Sequence, residues 1–259
     1  MKGVTALGPS DRGLRQATGI GQPGRCCTAQ NHEEFMARRI VDLSLTLTNS
    51  MPAHKFFPRP VIVPHITHDE MESWGNGTPD DVFGGCTTYL GMMDHVGTHV
   101  DAFVHVKRDG ATIDKMPLDM FVGKAVCLDM RHIPDLGDMD TKDFEAAEKK
   151  AEIKIDGHIV LICTGLHKRH FPTDKVVWSN PGITAEATHW LADRSRVHGV
   201  EGPSTDKPNH NLFPNHRVCR DRGITHYEWL CNLEELLGNR AAVHRDERAM
   251  RPRAPIMDK

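Results

Sequence analysis

The segment DHVGTHVDAFVH, residues 94–105, concentrates three histidines and two aspartates within twelve positions. Histidines and carboxylates of this kind can bind a metal ion or transfer protons. His95, His99, Asp101 and His105 all occupy odd positions, whereas the even positions carry mainly valine, threonine and alanine. In an extended chain, side chains two residues apart share a face. The spacing therefore predicts three imidazoles and a carboxylate on one face, and an apolar face for core packing.

A helix is the alternative for this segment, because His95 and His99 are also four residues apart, as in the HExxH zinc helices. However, no glutamate follows His95, Gly97 weakens a helix interior, and the valines favour a strand. The sequence therefore favours an extended segment that can bend at Gly97.

Imidazole and carboxylate donors together suit a borderline divalent cation such as zinc or manganese. The spacing His-x-x-x-His-x-Asp supplies three ligands and leaves coordination positions open, as a catalytic metal requires. A structural zinc site usually has four closing ligands that include cysteine, and the segment contains none. A second group of such residues, His216, His226 and Glu228, lies downstream, although each taken alone is more often a surface residue.

Composition and charge exclude several other classes of protein. The 259 residues are 39% hydrophobic and 26% charged, as is typical of a soluble globular protein. The formal net charge of −3 gives no reason to expect a nucleic-acid or membrane partner. No stretch approaches the roughly 18 apolar residues that span a bilayer, and the N-terminus lacks the apolar part of a secretory signal. The seven scattered cysteines favour reduced thiols, so we expect a cytoplasmic protein.

Short apolar runs that alternate with helical patterns must position these side chains. The predicted buried strands are KAVCLDM (124–130) and HIVLICTG (158–165), and RVHGV (196–200) is a further strand candidate. Helices are predicted over 140–151, where Asp140 is a candidate N-cap, and over 184–194. The alternation predicts an α/β sheet with parallel pairs.

The chain divides by composition into three parts. Residues 1–36 are rich in Gly, Ser, Gln and Arg without periodicity, and we expect a disordered N-terminal extension. Residues 37–237 form the expected folded domain, which opens with a predicted strand at IVDLSLTLT (40–48). Residues 238–259 are expected to be a polar C-terminal tail.

HVGTHVDAFVH resembles the HxGTHxDxPxH signature of the cyclase family of metal-dependent hydrolases, with Phe103 in place of the proline. That family includes the bacterial kynurenine formamidases (arylformamidases) and the isatin hydrolases. IVDLSLTL resembles its opening strand, and GVEGPSTD (199–206) resembles its GxDxPSxD segment. HRVCRDRGITHYEWLCNL resembles the segment that carries a downstream His and Glu twelve residues apart. The resemblance covers residues 39–237.

This resemblance implies roles for individual residues. His95, His99 and Asp101 would bind a metal, and His105 takes the position of the family's catalytic histidine. In the two-metal members the downstream pair completes the site, which would add His216 and Glu228. The resemblance also implies one or two Mn²⁺ or Zn²⁺ ions. The implied fold is an α/β, swivelling β/β/α-type single domain with a mixed sheet, and family members are typically homodimers.

These features predict a metal-dependent amidohydrolase that cleaves a cyclic or aryl amide, such as an isatin-type lactam, by a metal-activated water. His105 would take the proton of that water and return it to the leaving nitrogen. One alternative is an arylformamidase that acts on N-formylkynurenine. Another is a non-catalytic metal-binding protein, because NRAAVHRDERAMRPRAPIMDK differs from the family's closing strands. A serine hydrolase that uses Ser204 is disfavoured, since no GxSxG surrounds that serine.

Overall fold

The structure, a computed structural model, describes residues 41–54, 56–78 and 80–237. All of these residues fall within one compact unit. The predicted N-terminal extension and C-terminal tail lie outside the described residues, and the predicted domain boundaries stay predictions. In the described part, no helix is long and apolar enough to cross a membrane.

Eleven strands and seven α-helices are described. The strands are β1 (Val61–Ile66), β2 (Gly77–Thr78), β3 (Asp81–Val82), β4 (Thr87–Gly91), β5 (His99–Val100), β6 (Ala125–Asp129), β7 (Asp138–Met139), β8 (Ile159–Cys163), β9 (Gly182–Ile183), β10 (Val197–Val200) and β11 (Thr225–Glu228). The helices are α1 (His68–Ser73), α2 (Phe103–Val106), α3 (Thr141–Ala151), α4 (Leu166–His170), α5 (Lys175–Ser179), α6 (Ala185–Ala192) and α7 (Pro214–Arg222). Short 3₁₀ turns lie at Ile113–Lys115, Leu118–Met120 and Leu233–Leu236.

A five-stranded mixed sheet carries the site, in the order β5-β11-β10-β8-β6. The strands β6, β8, β10 and β11 are parallel, whereas the edge strand β5 runs antiparallel to β11. Three smaller two-stranded sheets pair β1 with β4, β2 with β3, and β7 with β9. The predicted α/β single domain with a mixed sheet is therefore confirmed.

The three strands predicted from the apolar runs and both predicted helices form at the predicted positions. The strands β6 and β8 lie inside the two apolar runs, and all five residues of β8 are buried. Helix α3 begins directly after Asp140, whose backbone N–H donates to the carboxylate of Asp143 at 2.9 Å. This bond satisfies one backbone donor at the start of the helix. Phe144 on α3 is fully buried in the core beside β6 and β8.

The predicted opening strand is wrong in the described part, residues 41–48. This run forms only an isolated bridge between Ser44 and Leu230. The backbone N–H of Leu45 donates to the hydroxyl of Thr98 at 2.8 Å, so a side chain replaces the neighbouring strand as partner. Leu45 is nevertheless buried, as its alternating pattern predicted.

The histidine segment is also not one continuous strand. Only His99–Val100 belongs to the sheet, while His95 precedes it in a turn and Phe103–Val106 is helical. The chain bends at Gly97, as predicted, and its φ of 75° lies in the left-handed region that favours glycine. Consequently His105 reaches the other histidines from a helix, and the prediction that it shares their strand face is wrong.

Two carboxylates, the buried Glu201 after β10 and the half-buried Glu234 of the last 3₁₀ turn, lie close together. Glu201 is fully buried, and its Oε2 accepts hydrogen bonds from the backbone N–H and hydroxyl of Thr164 and the N–H of Gly165 at 2.6–2.7 Å. Its Oε1 has no hydrogen-bond partner among the described residues, and the carboxylate lies within 4.8 Å of donor atoms of Glu234 and Cys163. Burial raises the pKa of Glu201, the bonds from Thr164 lower it, and Glu234 raises it, so the net shift is upward.

This shift predicts that Glu201 costs stability as the pH rises. The folded state keeps a proton that the unfolded chain releases near pH 4.5, the ordinary pKa of glutamic acid. The contribution of Glu201 to the free energy of unfolding is therefore greatest below pH 4.5. It is lost as the pH rises toward the raised pKa of the folded state. We expect Glu201→Gln to become more stable relative to the original protein over this range, and then to reach a plateau.

Urea unfolding of the metal-free protein between about pH 4.5 and 8 would measure this difference in the free energy of unfolding. Glu145→Gln, at an exposed position of α3, is the control and should show no such trend. A difference between Glu201→Gln and the original protein that stays constant with pH would contradict the prediction.

Candidate metal centre

Two segments far apart in the sequence meet where β5 pairs with β11. His99 lies opposite Glu228 in this antiparallel pair. The backbone N–H of Asp101 donates to the carbonyl of His226 at 3.1 Å, and the hydroxyl of Thr225 donates to the carbonyl of Asp101 at 2.6 Å. Because side chains alternate along a strand, His226 and Glu228 point to the same side. The edge of the sheet therefore holds four candidate ligands in fixed positions.

Asp101 lies at the middle of the site, and its two oxygens face different imidazoles. Oδ1 lies 3.1 Å from Nδ1 of His95 and 3.2 Å from Nε2 of His99. Oδ2 lies 3.2 Å from Nε2 of His226 and 3.7 Å from Nε2 of His216. The Asp101 carboxylate thus lies between two pairs of imidazole nitrogens, with one oxygen facing each pair.

Glu228 divides its oxygens in the same way. Oε2 lies 3.5 Å from Nε2 of His99, whereas Oε1 lies 3.3 Å from Nε2 of His226 and 3.9 Å from Nε2 of His216. We call the space between His95, His99 and the two carboxylates the outer position. The space between His216, His226 and the same carboxylates is the inner position, where all donors are largely buried.

The five predicted metal ligands lie together, and the predicted catalytic residue lies beside them. The predicted ligands are His95, His99, Asp101, His216 and Glu228. His105 places its Nε2 3.8 Å from Oδ2 of Asp101, and its ring centroid lies 4.1 Å from that of His95. Its side chain is 38% exposed, so it lies on the open side of the site. The roles of these six residues stay predictions.

The structure adds two residues that the predicted set left out. His226 was noted in the sequence without a role, yet its Nε2 faces both carboxylates. Asp206, in the GVEGPSTD segment, was given no role, yet its carboxylate contacts Nδ1 of His216 at 2.5 Å. The spacing of His226 and Glu228, two residues apart in a strand, was the signal that could have identified the first of these.

Hydrogen bonds behind the site orient two of the imidazoles. Nδ1 of His99 donates to the carbonyl of Gly97 at 2.8 Å, and Nδ1 of His216 donates to the carboxylate of Asp206. In each ring the hydrogen on Nδ1 leaves the lone pair on Nε2, which faces the carboxylates. Partners of this kind fix the orientation of metal-binding histidines and increase their basicity.

Several buried atoms at the centre have no hydrogen-bond partner among the described residues. They are Oδ1 and Oδ2 of Asp101, Nε2 of His226 and Oε1 of Glu228. Buried polar atoms are normally hydrogen-bonded, because an unpaired one costs free energy. Nitrogen and carboxylate donors grouped in this way fit a divalent ion such as zinc or manganese.

The electrostatics of the cluster favour an anionic carboxylate. Burial alone would raise the pKa of Asp101, but the nearby imidazoles of His226, His95 and His99 lower it, and the result lies well below the usual range. Burial lowers the pKa of His105, Asp101 raises it and neighbouring imidazoles lower it again, with a net downward shift. A neutral imidazole therefore lies next to a carboxylate anion.

A model of the protein family named Cyclase matches residues 41–207. The chain belongs to the cyclase family. The match includes His95, His99, Asp101 and His105, and it ends before the downstream cluster. The resemblance predicted from the HxGTHxD segment is thereby confirmed.

Curated relatives of this cyclase-family chain include kynurenine formamidases. The protein from Salinibacter ruber is 30% identical over 148 residues, which cover 54% of this chain and 63% of that protein. The chain therefore spans less than two thirds of that relative. The kynurenine formamidase of Erythrobacter litoralis is 29% identical over 190 residues, covering 70% of this chain and 74% of that protein.

Solved structures with the same fold include two isatin hydrolases A. The protein from Labrenzia aggregata has a TM-score of 0.63 and 24% identity, covering 78% of this chain and 84% of its own. The protein from Ralstonia solanacearum has a TM-score of 0.65 and 23% identity, covering 83% of this chain and 89% of its own. These similarities show that this cyclase-family member shares their fold.

Proposed function

We propose that this cyclase-family chain is a metal-dependent hydrolase that cleaves a cyclic or aryl amide, such as an isatin-type lactam. The observation that carries the proposal is the group of unpaired buried donor atoms around Asp101 and Glu228, next to a partly exposed histidine. Relatives named as kynurenine formamidases and structural neighbours named as isatin hydrolases support an amide or lactam substrate. The predicted homodimer and cytoplasmic location stay predictions.

The donors of the site would hold one or two Mn²⁺ or Zn²⁺ ions. When bound, such an ion polarises carbonyl groups and lowers the pKa of a coordinated water from 15.7 to roughly 7. The outer position would use His95 and His99, and the inner position would use His216. Asp101 and Glu228 would contribute one oxygen to each position, which balances much of the positive charge.

His105 is the residue that can transfer a proton. Its Nε2 points toward Oδ2 of Asp101 from the open side, and its lowered pKa keeps it neutral near pH 7. A neutral imidazole there can accept a proton from the attacking water and deliver it to the leaving nitrogen. The anionic Asp101 orients the imidazolium that forms between these two events.

Aromatic rings next to the site support a flat substrate. Phe57 lies nearly parallel to His95, with ring centroids 6.3 Å apart and an interplanar angle of 26°. Phe213 approaches His216 edge-on at 6.0 Å, and its side chain is 53% exposed. These rings offer apolar surface on two sides of the site, as binding of an aryl group requires.

A substrate panel tests the proposal. The protein is incubated with isatin or N-formylkynurenine, with Mn²⁺ or Zn²⁺ added, and in parallel with a chelator. We expect isatin to be hydrolysed, the chelator to abolish turnover, and either ion to restore it. Turnover of N-formylkynurenine without isatin would favour the arylformamidase alternative. Stoichiometric metal without turnover of any amide or lactam would favour a non-catalytic metal-binding protein.

A further inference from the structure

We propose that His226 is a metal ligand of the inner position through its Nε2, and that a buried chain of hydrogen bonds through Cys219 and Asn215 fixes its tautomer. The inference rests on the proposed metal-dependent function and goes beyond it, because it assigns a ligand and the residues that orient it. Helix α7 and strand β11 supply these groups.

The position of His226 is that of a ligand. Only 1% of the residue is exposed, and its Nε2 lies 3.2 Å from Oδ2 of Asp101 and 3.3 Å from Oε1 of Glu228. Despite these short distances, no hydrogen bond forms at Nε2 within the described part of the chain. The same two oxygens face Nε2 of His216. An ion between these four atoms would satisfy all of them.

The tautomer of His226 follows from a chain of bonds that begins at helix α6. The hydroxyl of Thr188 donates to the carbonyl of Thr184 at 2.7 Å, so its oxygen is left to accept. Nδ2 of Asn215 donates to that oxygen at 2.9 Å. The amide orientation of Asn215 is thereby set, and its Oδ1 faces the sulfur of Cys219 at 3.4 Å.

The thiol of Cys219 connects the fixed amide of Asn215 to the imidazole of His226. Because the S–H donates to Oδ1 of Asn215, the sulfur must accept from Nδ1 of His226, which lies 3.8 Å away. With the hydrogen on Nδ1 engaged by the sulfur, Nε2 is the ring nitrogen left to offer a lone pair to an ion. The sulfur thus fixes the orientation of the His226 ring. The carbonyl of Gly97 and the carboxylate of Asp206 orient His99 and His216 in the same way.

One network supports both histidines of the inner position. Oδ1 of Asp206 accepts from the backbone N–H of Asn215 at 2.8 Å, and Oδ2 accepts from Nδ1 of His216 at 2.5 Å. Asn215 therefore links the support of His216 to the support of His226. The first turns of α7 hold both rings before any ion binds, so little reorganisation is needed on binding.

An alternative position for an ion lies on the other side of the His226 ring and must be distinguished from the inner position. Cys219, His198 and His226 also form a buried group that could bind a metal. An ion there would need the thiolate and Nδ1 of His226, whereas the hydrogen bonds use the thiol and the N–H. The proposal therefore predicts an inner ion without a sulfur ligand.

Titration of the full-length, metal-free protein with Co²⁺ tests the proposal. The visible absorption spectrum, the dissociation constants and elemental analysis are recorded for His226→Gln, Cys219→Ala and Cys219→Ser. We expect His226→Gln to change the spectrum and to weaken one binding event by more than about 100-fold, since a ligand is lost. Cys219→Ala should weaken it about 10- to 100-fold, as loss of a supporting partner does. Cys219→Ser should restore most of the affinity, because a hydroxyl both donates and accepts.

His132→Gln, at an exposed position, is the matched control and should leave Co²⁺ binding unchanged. Circular dichroism establishes that each variant is folded. An unchanged spectrum and affinity in folded His226→Gln would overturn the proposal. A sulfur-to-cobalt charge-transfer band in the original protein that disappears in Cys219→Ser would also overturn it, because the ion would then bind Cys219. His226-dependent Co²⁺ binding without amide turnover would support the proposal and contradict only the proposed hydrolase function.

Discussion

The Asp101→Asn variant is expected to lose metal binding and hydrolysis together. Asp101 is 3% exposed, and each of its oxygens faces a different pair of imidazoles. An asparagine side chain has one acceptor oxygen and no charge, so neither position keeps its shared anionic ligand. A bound ion contributes several kcal/mol to the transition state, and about 1.4 kcal/mol corresponds to a factor of ten. We therefore expect kcat/KM to fall by more than about a thousandfold.

Elemental analysis of the dialysed protein and steady-state kinetics with the best amide of the panel measure the two losses. Asp94→Asn is the matched control, because this neighbouring carboxylate is 74% exposed and lies 3.8 Å from Nε2 of His95. The control should keep its metal and most of its activity. A folded Asp101→Asn protein with full metal content would show that the account of two positions sharing one carboxylate is wrong.

The His105→Ala variant is expected to keep its metal and to lose most of its kcat. His105 lies on the exposed side of the site, and removal of a general acid–base residue typically costs about 10²- to 10⁴-fold. Metal content and kcat are measured on the same preparation. Imidazole added to the buffer should recover part of the lost rate, because a free base can enter the space that the side chain leaves.

The same measurements separate proton transfer from metal binding by His105. His95, Asp101 and His105 also form a group that could hold an ion. If His105 were a ligand, His105→Ala would lose metal in parallel with activity, and imidazole would act on metal content. Normal turnover by His105→Ala would instead exclude both roles. His68→Ala, at an exposed position of α1, controls for loss of a surface imidazole.

The local part of the site could be predicted from the sequence, because His95, His99 and Asp101 lie within seven consecutive residues. The spacing of these residues is short enough to bring the imidazoles of His95 and His99 next to the carboxylate of Asp101. Their backbone conformation was harder to predict. The turn at Gly97 and the helix at Phe103–Val106 replace most of the predicted strand, yet they still bring the functional groups together.

The distant part of the site depends on pairings that a single sequence does not reveal. His226 reaches Asp101 only because β11 lies beside β5, and the bond from Thr225 to Asp101 joins residues 124 positions apart. The strand that we predicted over residues 41–48 does not form, and the cause is similar. The hydroxyl of Thr98 takes the backbone donor of Leu45, and alternating hydrophobicity gives no sign of such a bond.

The alternation of side chains along β11 has a consequence for how this centre could evolve. The side chains at positions 226 and 228 of this strand face the proposed metal positions, while the backbone between them is fixed by its neighbours in the sheet. Exchanging an imidazole for a carboxylate at position 226 would replace a borderline donor with a hard one. Selectivity among divalent ions could therefore change through single substitutions while the fold stays the same.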